Sequence, residues 1–354
     1  MKKQANKVIF LQSDMHFVKK FGIVESANMV IDYKSLNRLP FIYDIYQLSD
    51  FLKIRPNKLF YILRNIDQQY KKIIIKKRNG KDRILYSPSF NLSSCQRLIR
   101  RLILEKMPVS RYAKAYVKGT SLYDNALPHV NKKYILKLDI TNFFGSIDLW
   151  QVYVSAFNTR YFPKQIGCIL ATLCCKNRTL PQGASSSPAL SNIVMRNFDN
   201  NIGKWCERND IVYTRYCDDM TFSSDKPLYS VYRKAKAMLN EMGFEINETK
   251  THFVTNANRQ SVTGLTVNEK VAVSSDYKRK LRQDIYYALK FGFSDSIMRS
   301  GKDKFITESG ADAYGYYCHL VGRVKYVLQI EPQNKWFNNA FIKLRIAYVR
   351  GEVD

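Results

Sequence analysis

Two aspartates stand side by side in the middle of a β-rich run, and they restrict the fold more than any other feature. Ile211-Val212-Tyr213-Thr214-Arg215 before them and Met220-Thr221-Phe222 after them favour extended chain. Val212 to Ser223 therefore reads as a hairpin with Cys217-Asp218-Asp219 at its bend. Turns favour aspartate, but no turn requires two adjacent carboxylates, which repel each other. A bound dication explains the pair. A third carboxylate, Asp139, ends the β-rich run Tyr134-Ile135-Leu136-Lys137-Leu138, 79 residues before Asp218, a separation that neighbouring strands of one sheet can close. Taken alone, Asp139 could instead cap a helix starting at Thr141. Two or three hard carboxylates brought together by folding are the minimal site for paired divalent metals that activate a hydroxyl and steady a leaving pyrophosphate.

Charge points the same way. The 354 residues carry 57 Lys and Arg against 30 Asp and Glu, a net +27. A chain this basic repels itself unless a polyanion neutralises it, so it reads as a nucleic-acid binder. From Asp50 to Tyr134 there are 20 cationic and 5 acidic side chains, which makes that stretch the expected backbone-gripping surface. Seven cysteines without a C-x-x-C pair, and four histidines, argue against zinc. Met1-Lys2-Lys3-Gln4 leads into mixed polar sequence and not an apolar leader, which with the odd number of cysteines argues for a reducing cytosol. No run of about 18 apolar residues predicts a membrane span.

Periodicity places the elements. Ser49 to Gln69 reads as helix, split in two by Pro56. Lys71 to Lys77 and Arg83 to Tyr86 read as strands joined at Asn79-Gly80. Helices are expected over Ser94–Met107, Val152–Leu173, Ser187–Glu207, Tyr229–Met242 and Ser274–Phe291, and after Ala311. A strand is expected over Phe244–Val254. Strands and helices alternate in an α+β manner.

Five strings in order carry a resemblance. Tyr216-Cys217-Asp218-Asp219 resembles the Y-x-D-D box of reverse transcriptases, and Asp139 through Phe144 resembles their first palm motif. Pro181-Gln182-Gly183 through Ser187-Pro188 resembles the P-Q-G-x-x-x-S-P motif. Gly243-Phe244-Glu245-Ile246-Asn247 through Lys250-Thr251 resembles the segment that follows the box. Gly80-Lys81-Asp82-Arg83-Ile84 resembles the fingers motif. Any one of these is weak; the ordered set covers about residue 50 to 354.

The resemblance implies a right-hand polymerase with fingers, a palm built on an antiparallel sheet and a helical thumb. Residues 1–35 would be an N-terminal extension, 36–130 fingers, 131–262 palm with a helical insertion near 150–180, and 263–354 thumb. It implies two Mg²⁺ ions held by Asp139, Asp218, Asp219 and the Ile140 carbonyl, with dNTPs as substrates. Lys250 would donate a proton to the pyrophosphate. Arg83 would grip the triphosphate, Phe144 would lie under the sugar and select against a 2′-OH, and Gln182 and Gly183 would flank the nucleotide and template. On the residues alone, Phe144 could be core and Lys250 a solvated cation.

Two shorter strings resemble signatures of retron reverse transcriptases: Asn125-Ala126-Leu127-Pro128-His129 (N-A-x-x-H) and Val262-Thr263-Gly264 (V-T-G). Membership implies a cognate structured non-coding RNA as template and primer, DNA started from a guanosine 2′-OH, a branched RNA–DNA product, and anti-phage defence with a separately encoded effector. Asn125 and His129 are then expected to contact RNA, as are Lys278, Arg279 and Arg282 on the basic helix after Ser274. The rivals are other bacterial reverse transcriptases (group II intron-like, diversity-generating or abortive-infection type) and a catalytically idle RNA-binding scaffold.

Overall fold

The computed structural model describes residues 39–76, 80, 82–299, 301–308 and 310–353. The expected N-terminal extension, Lys77 at the end of the first expected strand, Asn79 of the expected turn and Lys81 of the fingers motif lie outside the described residues. Two short helices open the described chain, α1 (Ile45–Phe51) and α2 (Pro56–Arg64). Pro56 separates them as expected, because proline is tolerated only in a helix's first turn. The first helix starts before Ser49, however. Asp44 accepts hydrogen bonds from the Tyr46 and Gln47 backbone and is the cap.

A basic hairpin follows, β1 (Tyr70–Lys76) and β2 (Asp82–Pro88), in antiparallel register from Tyr70↔Pro88 to Lys76↔Asp82. Then come α3 (Phe90–Leu102) and the short α4 (Leu122–Ala126). The central sheet has the order β4-β5-β3-β6, all antiparallel. Its strands are β3 (Tyr134–Asp139), β4 (Val212–Tyr216), β5 (Asp219–Ser224) and β6 (His252–Thr255). Leu136, Leu138, Met220, Phe222 and Tyr213 fill its back. Against them pack helices of the same core: α5 (Lys164–Cys174), the 22-residue α6 (Ser187–Arg208) and α7 (Tyr229–Glu241).

Two expectations are corrected here. The helix over Val152–Leu173 is broken, because a π turn at Tyr153–Phe157 and Pro163 separate a first helical turn from α5. The strand over Phe244–Val254 is confined to β6. Before it, Ile246 makes a single bridge with Ile140, and the chain turns through a 3₁₀ helix at Glu248–Lys250.

A second hydrophobic core forms after Val262, taking Ala126 and Ile135 from earlier in the chain. It holds a three-stranded sheet, β7 (Ser261–Val262), β8 (Leu265–Thr266) and β9 (Ala272–Val273). Four helices complete it: α8 (Ser275–Phe291), α9 (Phe293–Arg299), α10 (Ala313–Ile330) and α11 (Lys335–Val349). Among the described residues no helix is long and apolar enough to cross a membrane.

Candidate active site

The sheet register brings the three aspartates to one end. Asp139, the last residue of β3, pairs with Asp219, the first of β5, and Asp219 pairs with Tyr216 across the hairpin. Cys217-Asp218 is the two-residue connection, with Cys217 at φ +62°. A left-handed residue at this place lets the turn follow the right-handed twist of its strands. The Ile140 N–H donates to the Asp218 carbonyl at 3.3 Å, tying the turn to the end of β3.

Lys250 completes the cluster. The 3₁₀ turn that displaces the expected strand carries it there, and its Nζ lies 2.8 Å from both carboxylate oxygens of Asp139. The Asn247 N–H donates to the Asp139 carbonyl at 2.8 Å, anchoring the same turn. Asp139 is 6% exposed. Partial loss of hydration, then the charges of Asp218 and Asp139, raise the Asp219 carboxyl to about 6. The hydrogen bonds to Asp139 raise the Lys250 ammonium above its usual range, so it keeps its proton. Among the described residues, no three His, Cys, Asp or Glu side chains already stand in ligand geometry. The donor set nonetheless fits a hard divalent cation. It consists of like-charged oxygens whose repulsion is eased only in part, by the Lys250 ammonium on Asp139 and the Lys137 ammonium near Asp219.

Two more expected residues, Gln182 and Gly183, lie against Tyr86 of β2. The Tyr86 N–H donates to the Gln182 carbonyl at 2.7 Å. Gly183, at φ +114°, lies so close that a Cβ there would sit 2.8 Å from the Tyr86 carbonyl, so only glycine permits this approach. Arg83 is three residues upstream on the same strand, about 10 Å of extended chain away. Phe144 is half-buried with its ring 5.5 Å from Phe143, behind Asn142 in the left-handed region.

Two expected RNA contacts, His129 and Asn125, are corrected, and a third residue, Lys278, is engaged within the protein. His129 is wholly buried, with Nδ1 2.7 Å from Ser223 Oγ and Nε2 2.8 Å from Thr214 Oγ1. Burial lowers its pKa to about 3, so the ring is neutral and braces β4 and β5. Asn125 is also buried and reaches Thr263 Oγ1 at 3.4 Å. The two short strings thus touch each other, with Thr263 and Gly264 forming the left-handed turn between β7 and β8. Lys278 is held by Glu331 at 2.8 and 3.0 Å with its side chain 16% exposed. Arg279 and Arg282 stay at the surface, the first beside Asp276 and the second over the Trp336 and Phe337 rings.

The sequence reading missed one group altogether. Arg215 and Asp199 form an ion pair that is 0% exposed, and Tyr213 and Asn192 join it. Two signals for it were present. Residues 213 and 215 share a face of β4, and Asn192 and Asp199 lie two helical turns apart on α6.

Comparison with known proteins agrees with this geometry. The family model described as "Reverse transcriptase (RNA-dependent DNA polymerase)" matches residues 75–274. The chain is 32% identical over 279 residues to the Retron Ec83 reverse transcriptase of Escherichia coli, covering 74% of this chain and 83% of that protein. It is 28% identical over 254 residues to the Retron Ec86 reverse transcriptase of E. coli, covering 70% and 79%. It is 30% identical over 287 residues to the Retron Mx65 reverse transcriptase of Myxococcus xanthus, covering 75% of this chain and 62% of that longer protein. The ordered motifs, the sheet that gathers the aspartates and these relatives lead to one conclusion: the chain belongs to the reverse transcriptase family, as an RNA-directed DNA polymerase of the retron type with a right-hand polymerase fold.

Proposed function

We propose that this polymerase copies part of a cognate structured RNA into a short single-stranded DNA. Synthesis starts from the 2′-OH of one guanosine, so the product is a branched RNA–DNA molecule. That product serves anti-phage defence in the bacterial cytoplasm, together with a separately encoded effector. The observation that carries the catalytic half of this reading is the meeting of Asp139, Asp218, Asp219 and Lys250 at one sheet end. The retron-type relatives support the other half.

Asp139, Asp218, Asp219 and the Ile140 carbonyl are the residues that would hold two Mg²⁺ ions. Those ions, when bound, supply neutralisation of the developing phosphoryl charge and acidity to the attacking hydroxyl. Lys250, which keeps its proton beside Asp139, is the donor to the departing pyrophosphate. Arg83 binds the triphosphate by charge-assisted hydrogen bonds. Phe144 lies under the sugar and excludes a 2′-OH, and Gln182 and Gly183 fix the base pair from the side of β2. Arg279 and Arg282 face RNA phosphates. Residues 36–130 act as fingers, 131–262 as palm and 263–354 as thumb; the change of hydrophobic core near Val262 supports the last boundary.

The test is the nucleic acid that copurifies with the protein expressed beside its native flanking DNA. A discrete short DNA, shortened by ribonuclease to a branched remnant and absent from Asp218→Asn/Asp219→Asn, is the expected result. Heterogeneous DNA, or RNA without attached DNA, rejects the retron product.

A further inference from the structure

Among the described residues, the bulkiest side chain fully withdrawn from water is charged: Arg215, two residues before Cys217. It projects from the back of the hairpin. In the register it pairs with Met220, while Asp219 pairs with Tyr216 on the opposite face. Its donors are divided among three partners. Nε and Nη2 lie 2.8 and 2.6 Å from the two Asp199 oxygens, and Nη2 is also 3.1 Å from Asn192 Oδ1. Nη1 donates to the Cys217 carbonyl at 2.8 Å.

The anchors are themselves fixed. Asp199 accepts a further bond from the Tyr213 hydroxyl at 2.8 Å, and Asn192 donates to the Ala115 carbonyl at 2.8 Å. The Arg215 backbone is pinned at the sheet edge, where its N–H donates to the Tyr112 carbonyl at 2.8 Å and its carbonyl accepts from the Lys114 N–H at 2.7 Å. Gly203 of α6 lets the Tyr112 ring lie where a Cβ would collide with it at 2.2 Å.

A purely structural ion pair would need only the two bonds to Asp199. The third arm of the guanidinium goes instead to the peptide that joins Cys217 to Asp218. That peptide follows a non-glycine residue in the left-handed region, which needs outside support to persist. The Cys217 side chain is held separately, with the Tyr116 hydroxyl 3.4 Å from its Sγ. Rotating this peptide would re-aim the Asp218 carboxylate directly.

We propose that Arg215 is a positioning residue for polymerisation: anchored on Asp199 and Asn192 of α6, it holds the Cys217 carbonyl and so sets the direction of the Asp218 and Asp219 carboxylates. The proposal rests on the assignment of those two carboxylates as metal ligands. A planar fork suits the task because its nitrogens reach anchor and turn in fixed directions, which a single ammonium does not.

The experiment uses the full chain with its cognate RNA. Tyr213→Phe/Asp199→Leu/Arg215→Met removes the charges and the hydroxyl together and puts apolar side chains of similar volume in their place. Four quantities are read: the thermal midpoint, RNA affinity, Mn²⁺ affinity by electron paramagnetic resonance without nucleotide, and the single-turnover rate. The expected result is a cooperatively folded protein with unchanged RNA affinity, in which Mn²⁺ affinity and rate each fall about 10–100-fold. A folded variant with wild-type Mn²⁺ affinity and rate overturns the proposal. Should the triple variant not fold, Arg215→Lys decides, since it keeps a cation beside Asp199 but not the fork. A loss of Mn²⁺ affinity with RNA binding retained supports positioning, and wild-type Mn²⁺ affinity overturns it. Asp218→Asn in parallel separates the two failures. Full activity there removes the carboxylate assignment itself, whereas an inactive Asp218→Asn beside a fully active folded triple variant removes only the role of Arg215.

Discussion

Asp199 and Asp219 lie on opposite sides of one hairpin in opposite surroundings. Asp199 is sealed from water, and both its oxygens are met by the Arg215 guanidinium and the Tyr213 hydroxyl. Asp219 opens to solvent at the sheet end, and its nearest charged neighbours include two more carboxylates, which raise its pKa after partial loss of hydration does. One charge is cancelled within the protein; the other is left short of a partner. Breaking the first by removing one partner strands a buried charge, whereas the second suits a cation taken from solution. The same contrast separates two lysines. Lys250 pairs with Asp139 while 59% exposed and can exchange partners, whereas Lys278 is enclosed with Glu331.

The strongest way to break this comparison is at the front face. Asp218→Asn and Asp219→Asn are each expected to abolish DNA synthesis without lowering the thermal midpoint at pH 8, because each removes a like charge from a crowded site. A collapsed midpoint would make these carboxylates structural. The back face should respond in the opposite sense. Asp199→Ala strands the Arg215 charge and is expected to cost about 3–5 kcal/mol in a urea melt. A loss below about 1 kcal/mol would mean that water solvates the pocket and the contrast fails.

His129 sharpens the same point through pH. Its ring is held neutral by burial, with a pKa near 3 when folded against about 6.5 when unfolded. Below pH 6.5 the unfolded chain takes up a proton that the folded chain refuses. Stability present above pH 6.5 is therefore lost as pH falls, by about 2 kcal/mol at pH 5. His129→Gln, less stable at neutral pH, is expected to show a flatter profile from pH 6.5 to 5; an unchanged slope would place the acid sensitivity elsewhere. The smallest effect concerns RNA. Arg282→Ala is expected to lower the salt-dependence slope of RNA binding by about 1, and Lys278→Met to leave it unchanged. Equal changes would show that Lys278 leaves Glu331 when RNA binds.

Much of this is legible in the sequence. The hairpin around Cys217, the strand ending at Asp139 and the long helix from Ser187 follow from local periodicity and turn chemistry, and they stand as expected. The boundaries drifted where a distant contact outweighed propensity. Phe244–Val254 has strand composition, yet its middle coils into a 3₁₀ turn because Asn247 bonds the Asp139 carbonyl and Lys250 its carboxylate. Asn125 and His129 were legible as a motif but not as interior residues. Nothing local to Leu127-Pro128-His129 reveals that two hydroxyls on strands far along the chain will enclose the ring.

By itself the sequence determined the alternation of elements, the polymerase motifs and the identity of the three aspartates, because each is written within a few consecutive residues. Only the tertiary structure decided which charges are cancelled and which are left open. Lys250 and Asp139 are 111 residues apart, His129 and Ser223 94, and Lys278 and Glu331 53. Whether a cation is free to meet a phosphate depends on partners brought together across such separations and on the water they exclude, and neither is a property of any short stretch of chain.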